Sequence, residues 1–279
     1  MSYKTILTYL PTAKRAAAIL DAGFALAERF GAHLIALHIH PSLYSPAAVA
    51  DDIPTGILDM LIETRTKEAT AIRRAYDDRA KGSDAASEWR CLEALHGDAT
   101  QDIIDNALCA DLIVTCPTFG DHFDTWSDRP ARIVIGTGRP VLLVPQSHDF
   151  KSVGTRVIVA WNQSREAARA AFDAVPLMLD AESIEVLSIG KTKKQGAEML
   201  PAGDDLALAL ARHGLKTEAA SASGDDVHAG EELLKHVAEK NCDLLVMGCY
   251  GHSRMREIIF GGATNHLMRA MTVPVLMSH

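Results

Sequence analysis

The sequence predicts two tandem doubly wound α/β domains, each built on a five-stranded parallel sheet. Three observations carry this. Short β-branched apolar runs alternate strictly with longer helical patterns along the chain, which implies right-handed crossovers and parallel strands with helices on both faces. The runs are continuously apolar, as in Leu112-Ile113-Val114, the composition expected of strands buried on both sides. The pattern is also written twice. Cys109-Ala110-Asp111-Leu112-Ile113-Val114 is answered by Asn241-Cys242-Asp243-Leu244-Leu245-Val246, Arg139-Pro140-Val141-Leu142-Leu143 by Val273-Pro274-Val275-Leu276-Met277, and Gly97-Asp98 by Gly224-Asp225. At roughly 150 residues per domain, 279 residues accommodate two copies, at 1–148 and 149–279, joined where polar residues and glycine interrupt the apolar pattern between Gln146 and Gly154.

The elements follow in order. Thr5 to Leu10 reads as a strand, then an alanine-rich helical stretch runs from Thr12 to Phe30 and stops at Gly31. His33 to Ile39 is the second strand, and Leu58 to Lys81 is a long amphipathic helix with a solvated face. Glu88 to Ala94, Leu112 to Thr115 and Val141 to Val144 complete the first set of strands. In the second copy the strands are Arg156 to Ala160, Ile184 to Ile189, the weaker Thr217 to Ala222, Asp243 to Met247 and Val273 to Met277. Helical patterns at Arg165 to Leu179, Leu206 to His213, His228 to Glu239 and Asn265 to Met271 separate or follow them.

Composition excludes several functions. A net charge of −8 argues against a duplex-coating nucleic-acid binder, whose affinity comes from phosphate neutralisation. No run of eighteen apolar residues occurs, so no membrane span is expected, and the opening residues lack a secretory signal pattern. The five cysteines are odd in number and contain no C-x-x-C; this points to free thiols in a reducing cytoplasm. His38 and His40 have strand spacing, but no third ligand stands at useful spacing and no metal site is assigned.

Ligands of open α/β sheets bind beyond the carboxyl ends of the strands. After the fourth strand of the second copy the chain reads Met247-Gly248-Cys249-Tyr250-Gly251, nine further residues, and then Gly261-Gly262-Ala263-Thr264 before a helical pattern. Gly248 and Gly251 offer positive φ and close backbone approach. Gly261, Gly262 and Thr264 open a helix whose free N–H groups suit phosphate oxygens, with Arg254 and Arg256 as counter-charge. The spacing is neither a Walker loop, lacking Gly-Lys-Ser/Thr, nor a Rossmann fingerprint, because it follows the fourth strand and not the first.

These residues, with Val157-Ile158-Val159-Ala160-Trp161-Asn162-Gln163-Ser164-Arg165 as opening strand and turn, resemble the universal stress protein family in its tandem two-domain form. The resemblance implies a Rossmann-like, adenine nucleotide alpha hydrolase-like fold and an ATP-binding stress-response regulator. ATP, with or without magnesium, would lie across the carboxyl edge of the second sheet. Ala160, Trp161 and Asn162 would line the adenosine end, Ile189 would contact the base, and Met247 and Gly248 would flank ribose and adenine. Gly251, Gly261, Gly262, Ala263 and Thr264 would hold the phosphates. Asn162 stands where the family usually has Asp; an amide still hydrogen-bonds a ribose hydroxyl but ligates magnesium more weakly. The resemblance also implies that the last strands of the two copies pair, and it is compatible with a homodimer.

The first copy departs from this pattern. Aligned on the repeat, Cys116 takes the place of Gly248, Phe119 that of Gly251, and Ser127 and Asp128 those of Gly261 and Gly262. Pro117 removes a backbone donor and acidic residues in the same loop repel phosphate, so the first-copy nucleotide site reads as lost. No catalytic residue is assigned. His252 and Glu257 border the loop without a positioned partner, and Cys249 reads as a packing residue. The alternative function is a slow ATPase or nucleotide-dependent transferase using the same glycine loop.

Overall fold

The apolar runs form strands close to where the periodicity places them. In the computed structural model, which describes residues 2–40, 42, 55–95, 99–117, 129–145, 153–190, 203–223, 229–249 and 267–279, the first repeat supplies β1 (Thr5–Tyr9), α1 (Ala13–Phe30), β2 (His33–His40), α2 (Thr55–Ala80), β3 (Ser87–Glu93), α3 (Ala99–Ala107), β4 (Leu112–Thr115), α4 (Arg129–Thr137) and β5 (Val141–Leu143). The second supplies β6 (Arg156–Ala160), α5 (Arg165–Asp173), α6 (Val175–Met178), β7 (Ser183–Ile189), α7 (Asp204–Ala211), β8 (Thr217–Ala222), α8 (Ala229–Glu239), β9 (Leu244–Gly248) and β10 (Val275–Ser278). Residues 267–270 are helical. The fold is α/β with mostly parallel strands, as expected.

The chain divides into two compact units, Tyr3–Cys116 and Pro117–His279. In the first, the strand order is β3-β2-β1-β4, all parallel. In the second, β10-β9-β6-β7-β8 are parallel, and β5 adds to β10 antiparallel, with Val275 opposite Leu143, Leu276 opposite Leu142 and Met277 opposite Val141. The predicted pairing of the two terminal strands is therefore present. α4 and β5 end the first repeat in sequence yet belong to the second compact unit, so the repeat boundary and the packing boundary are different quantities in this chain. The pairing buries β5 and β10 completely and removes two apolar edges open to aggregation.

The repeated Asp has a physical role. At the amino end of the first sheet, Asp111 Oδ2 accepts the N–H groups of Lys4 (2.7 Å) and Thr5 (3.0 Å), while the Asp111 N–H donates to the Thr5 carbonyl (2.8 Å). Asp243 repeats this: its carboxylate accepts from Thr155 (2.9 and 3.0 Å) and Arg156 (2.9 Å), and its N–H donates to the Arg156 carbonyl (2.9 Å). Each carboxylate satisfies backbone donors at the start of a strand, which would otherwise lack partners, and ties the first strand of its repeat to the fourth.

Local chemistry sets the other boundaries. Gly31 ends α1 in the left-handed region (φ 56°), and the N–H groups of Gly31 and Ala32 return to Glu28 and Ala27 carbonyls, a Schellman-type stop. Thr12 makes no side-chain cap to α1; the Ala13 N–H instead donates to Glu68 of α2 (2.7 Å). The single helix expected over Arg165 to Leu179 is two, α5 and α6, because Pro176 has no N–H to continue the ladder. The weak strand Thr217–Ala222 is β8, last in the strand order and half-exposed. Replacing Asp243 by Ala should lower stability to chemical denaturation by about 2–3 kcal/mol, the range for hydrogen bonds to a charged acceptor with donors left unpaired; a change within ~0.5 kcal/mol would contradict the clamp.

Candidate functional site

In the second unit, strand order reverses direction of travel between β6 and β9, and ligands of such sheets bind at the carboxyl side of this switch point. β6 and β9 pair through Val157–Leu244, Ile158–Leu245 and Val159–Val246, so their carboxyl ends, Ala160 and Met247-Gly248, arrive together. β7 runs beside β6, with Ala160 opposite Leu187, which brings Ile189 to the same edge. Ala160, Trp161, Ile189 and Gly248 are half-buried, Met247 is buried and Asn162 is exposed. Six of the predicted residues thus lie along one sheet edge. Gly251, Gly261, Gly262, Ala263 and Thr264 lie outside the described residues, as do Arg254, Arg256, His252 and Glu257.

Each described residue is positioned by the backbone. The Trp161 N–H donates to the Leu187 carbonyl (2.8 Å), extending the β6–β7 ladder past the end of β6. A Cβ placed on Gly203, just before α7, would sit 3.6 Å from Trp161 Cδ1, so the indole packs against the start of that helix. Asn162 Oδ1 accepts the N–H of Ser164 (3.1 Å). This turn delivers Ser164 as the N-cap of α5, its hydroxyl accepting from Ala167 N–H (3.1 Å).

Gly248 departs from its expected backbone conformation. Its φ is not in the left-handed region; the glycine is required because the first turn of α5 packs onto it. A Cβ there would meet Ala167 N at 2.5 Å, Glu166 C at 2.7 Å and Glu166 Cβ at 2.9 Å. Sequence reading missed this contact and missed Glu166, a carboxylate 1% exposed whose Oε1 is paired with Arg165 Nε. The only signal for it was the Gly248 position itself. Cys249 is fully buried, its N–H bonded to the Ser278 carbonyl (2.8 Å), a packing residue as expected.

The equivalent mouth of the first unit is built differently. Tyr9, Leu10, His38, Thr115 and Cys116 surround the ends of β1, β2 and β4, and none is more than 3% exposed. Thr115 Oγ1 donates to the Tyr9 carbonyl (3.1 Å). His38 Nδ1–H donates to the Leu10 carbonyl (2.8 Å), which fixes its tautomer. Burial pushes the His38 pKa below its ordinary value and His40 adds to this, while the Leu10 bond and Glu68 oppose it. Burial likewise raises the Cys116 thiol to about 11. Buried side chains, two of them bonded to strand-end carbonyls, line this edge, where the second unit presents half-buried groups. Among the described residues no cluster of three or more potential metal ligands occurs, and no helix is long and apolar enough to cross a membrane.

The strand order and the parallel ladders define a Rossmann-like α/β fold of the adenine nucleotide alpha hydrolase-like type. Residues 155–279 match the model of the Universal stress protein family. The chain is 28% identical over 146 residues to Universal stress protein Slr1230 of Synechocystis sp., a match spanning 52% of this chain and 48% of that one. It is 31% identical over 87 residues to Universal stress protein YxiE of Bacillus subtilis, spanning 31% of this chain and 55% of that one. The chain thus covers about half the length of each of these relatives. At the level of fold, it is similar to a crystal structure of a universal stress protein from Archaeoglobus fulgidus, with a TM-score of 0.65, 16% identity, and 98% and 95% of the two chains covered.

If the approach of α5 is what requires Gly248, Gly248→Ala should destabilise the ligand-free protein by about 1–3 kcal/mol, the usual cost of overpacking. An unchanged denaturation midpoint in ligand-free protein would move the requirement to the ligand.

Proposed function

We propose that the chain is an adenine-nucleotide-binding regulatory protein of the stress-response type, acting in the cytoplasm, with ATP held by its second repeat. The observation that carries this reading is the contrast between the two switch points. The edge formed by Ala160, Trp161, Ile189, Met247 and Gly248 leaves most of these groups half-buried, and the sequence that follows supplies Gly251 and Gly261-Gly262-Ala263-Thr264. The matching edge of the first unit is filled by Tyr9, Leu10, His38, Thr115 and Cys116.

The chemistry fits a nucleoside. Ala160, Ile189 and Met247 offer apolar walls for a flat base, and Trp161 adds an aromatic one. On its sequence, the glycine-rich stretch after β9 offers backbone N–H donors suited to phosphate oxygens, with Arg254 and Arg256 as counter-charge. The amide at Asn162 hydrogen-bonds a ribose hydroxyl through its NH2 while its Oδ1 stays in the turn to Ser164; as a neutral group it is a poor magnesium ligand. The five cysteines are free thiols, consistent with a reducing compartment. Binding without dedicated turnover is the assigned activity, with nucleotide occupancy altering the surface offered to partners.

Denaturing freshly purified protein and analysing the supernatant should release intact ATP close to one per chain. ADP accumulating on incubation with magnesium would favour the enzymatic alternative, and finding no adenine nucleotide and no binding on titration would overturn both. Gly251→Val should weaken ATP binding about 100-fold or more, equivalent to ~2.7 kcal/mol, as read by Trp161 fluorescence on titration.

A further inference from the structure

The first unit carries an open surface groove of about 360 Å3 between α2 and the strands β2 and β3. It draws no residue from β1 or β4, so it lies away from the switch point of that unit. Its walls combine two guanidinium groups, Arg65 and Arg73, with the indole of Trp89, the methyl of Ala69, the thiol of Cys91 and the ring of His40. The topology explains the grouping. Trp89 and Cys91 alternate along β3, His40 ends β2 in register with Glu93, and Arg65, Ala69 and Arg73 are spaced four apart along α2, which places them on one helix face.

Three features describe an organic anion of moderate size. First, the cations are partly matched already. Arg73 Nε pairs with Asp77 Oδ1 (2.9 Å), and Arg65 Nη2 pairs with Glu93 Oε2 at 3.4 Å. Asp77 and Glu93 would repel a highly charged phosphate, whereas one carboxylate can exchange with Glu93 for Arg65. Second, the indole supplies an aromatic wall: the Trp89 ring lies in tilted contact 5.6 Å from Tyr76, and the Arg73 guanidinium lies 5.7 Å from the indole centroid. Third, the His40 ring forms one wall, with its Nδ1 enclosed and out of reach of the solvent side. The Thr66 and Thr70 hydroxyls are committed to helix carbonyls at 2.8 and 2.7 Å. Burial raises the Cys91 pKa against the opposing effect of Arg65, so the thiol serves as wall and not as nucleophile.

From this geometry we infer that the first unit carries a second ligand site, for a small planar aromatic carboxylate. The carboxylate pairs with Arg65 in exchange for Glu93, and the ring lies against Trp89 and Ala69, with the His40 ring as an end wall. The nucleotide reading of the second repeat is independent of this site.

Calorimetric titration of the full chain, kept saturated with ATP, with 2-naphthoate as probe tests the inference. One site per chain is expected, with the neutral analogue 2-naphthalenemethanol binding at least tenfold more weakly. Arg65→Gln should weaken naphthoate about tenfold, and Glu93→Gln should strengthen it severalfold by removing the competing carboxylate; a merely structural role for Glu93 predicts no gain. Thermal unfolding of both variants checks that they fold, and the Glu93→Gln gain remains decisive if Arg65→Gln does not. Naphthoate binding unchanged by both substitutions, equal affinity for the alcohol, displacement of naphthoate by inorganic phosphate, or no binding would each overturn the proposal.

Discussion

The clamp made by Asp243 underlies the geometry of the second unit. Its carboxylate gathers the N–H groups of Thr155 and Arg156, its own N–H returns to Arg156, and these bonds fix how β9 lies against β6. Because parallel strands keep their register along their length, a constraint at the amino end decides which residues meet at the carboxyl end. Ala160 and Gly248 reach the same edge because the ladder between them begins at this carboxylate. The close fit of α5 onto Gly248 then fixes the helix that follows β6, and with it the turn bearing Asn162 and Ser164.

Asp111 performs the same task in the first unit with the same partners in the same order. Duplication has therefore preserved the amino ends of the two sheets while the carboxyl ends have diverged. A parallel sheet allows this, since its stability resides in buried strands and ladders, and its carboxyl loops contribute little to the core. Where the second repeat has Gly248, the first has Cys116, and around it His38 and Thr115 spend their polar groups on the carbonyls of Leu10 and Tyr9. An edge whose hydrogen bonds are satisfied internally has little left to offer a ligand. The acidic surplus of the whole chain is concentrated in the first half of the sequence.

Much of the fold was legible in the letters. β4 and β6 begin and end where the apolar runs do, Gly31 stops α1, and the pairing of β5 with β10, implied by the family resemblance, is present and antiparallel. Strand ends are readable because burial on both faces leaves continuous runs. The break between α5 and α6 was readable too, in Pro176, but alanine-rich periodicity on either side masks it. The role of Gly248 was not legible: a glycine chosen for a helix approaching across the sheet looks the same in sequence as one chosen for a ligand. Glu166 and the groove under α2 were hidden for the same reason. Both depend on residues far apart in the chain, Glu166 on Gly248, and Arg65 and Arg73 on Trp89 and Cys91; no local spacing encodes such meetings.

The account rests on one of two similar edges having kept a nucleotide site. Photolabelling the protein with an azido-adenine analogue of ATP, followed by mass-spectrometric mapping of the modified peptides, tests this directly. The account predicts a single labelled region, on the peptides bearing Trp161, Ile189 or Met247, suppressed by unlabelled ATP. ATP-protected labelling confined to residues 3–116 would contradict it.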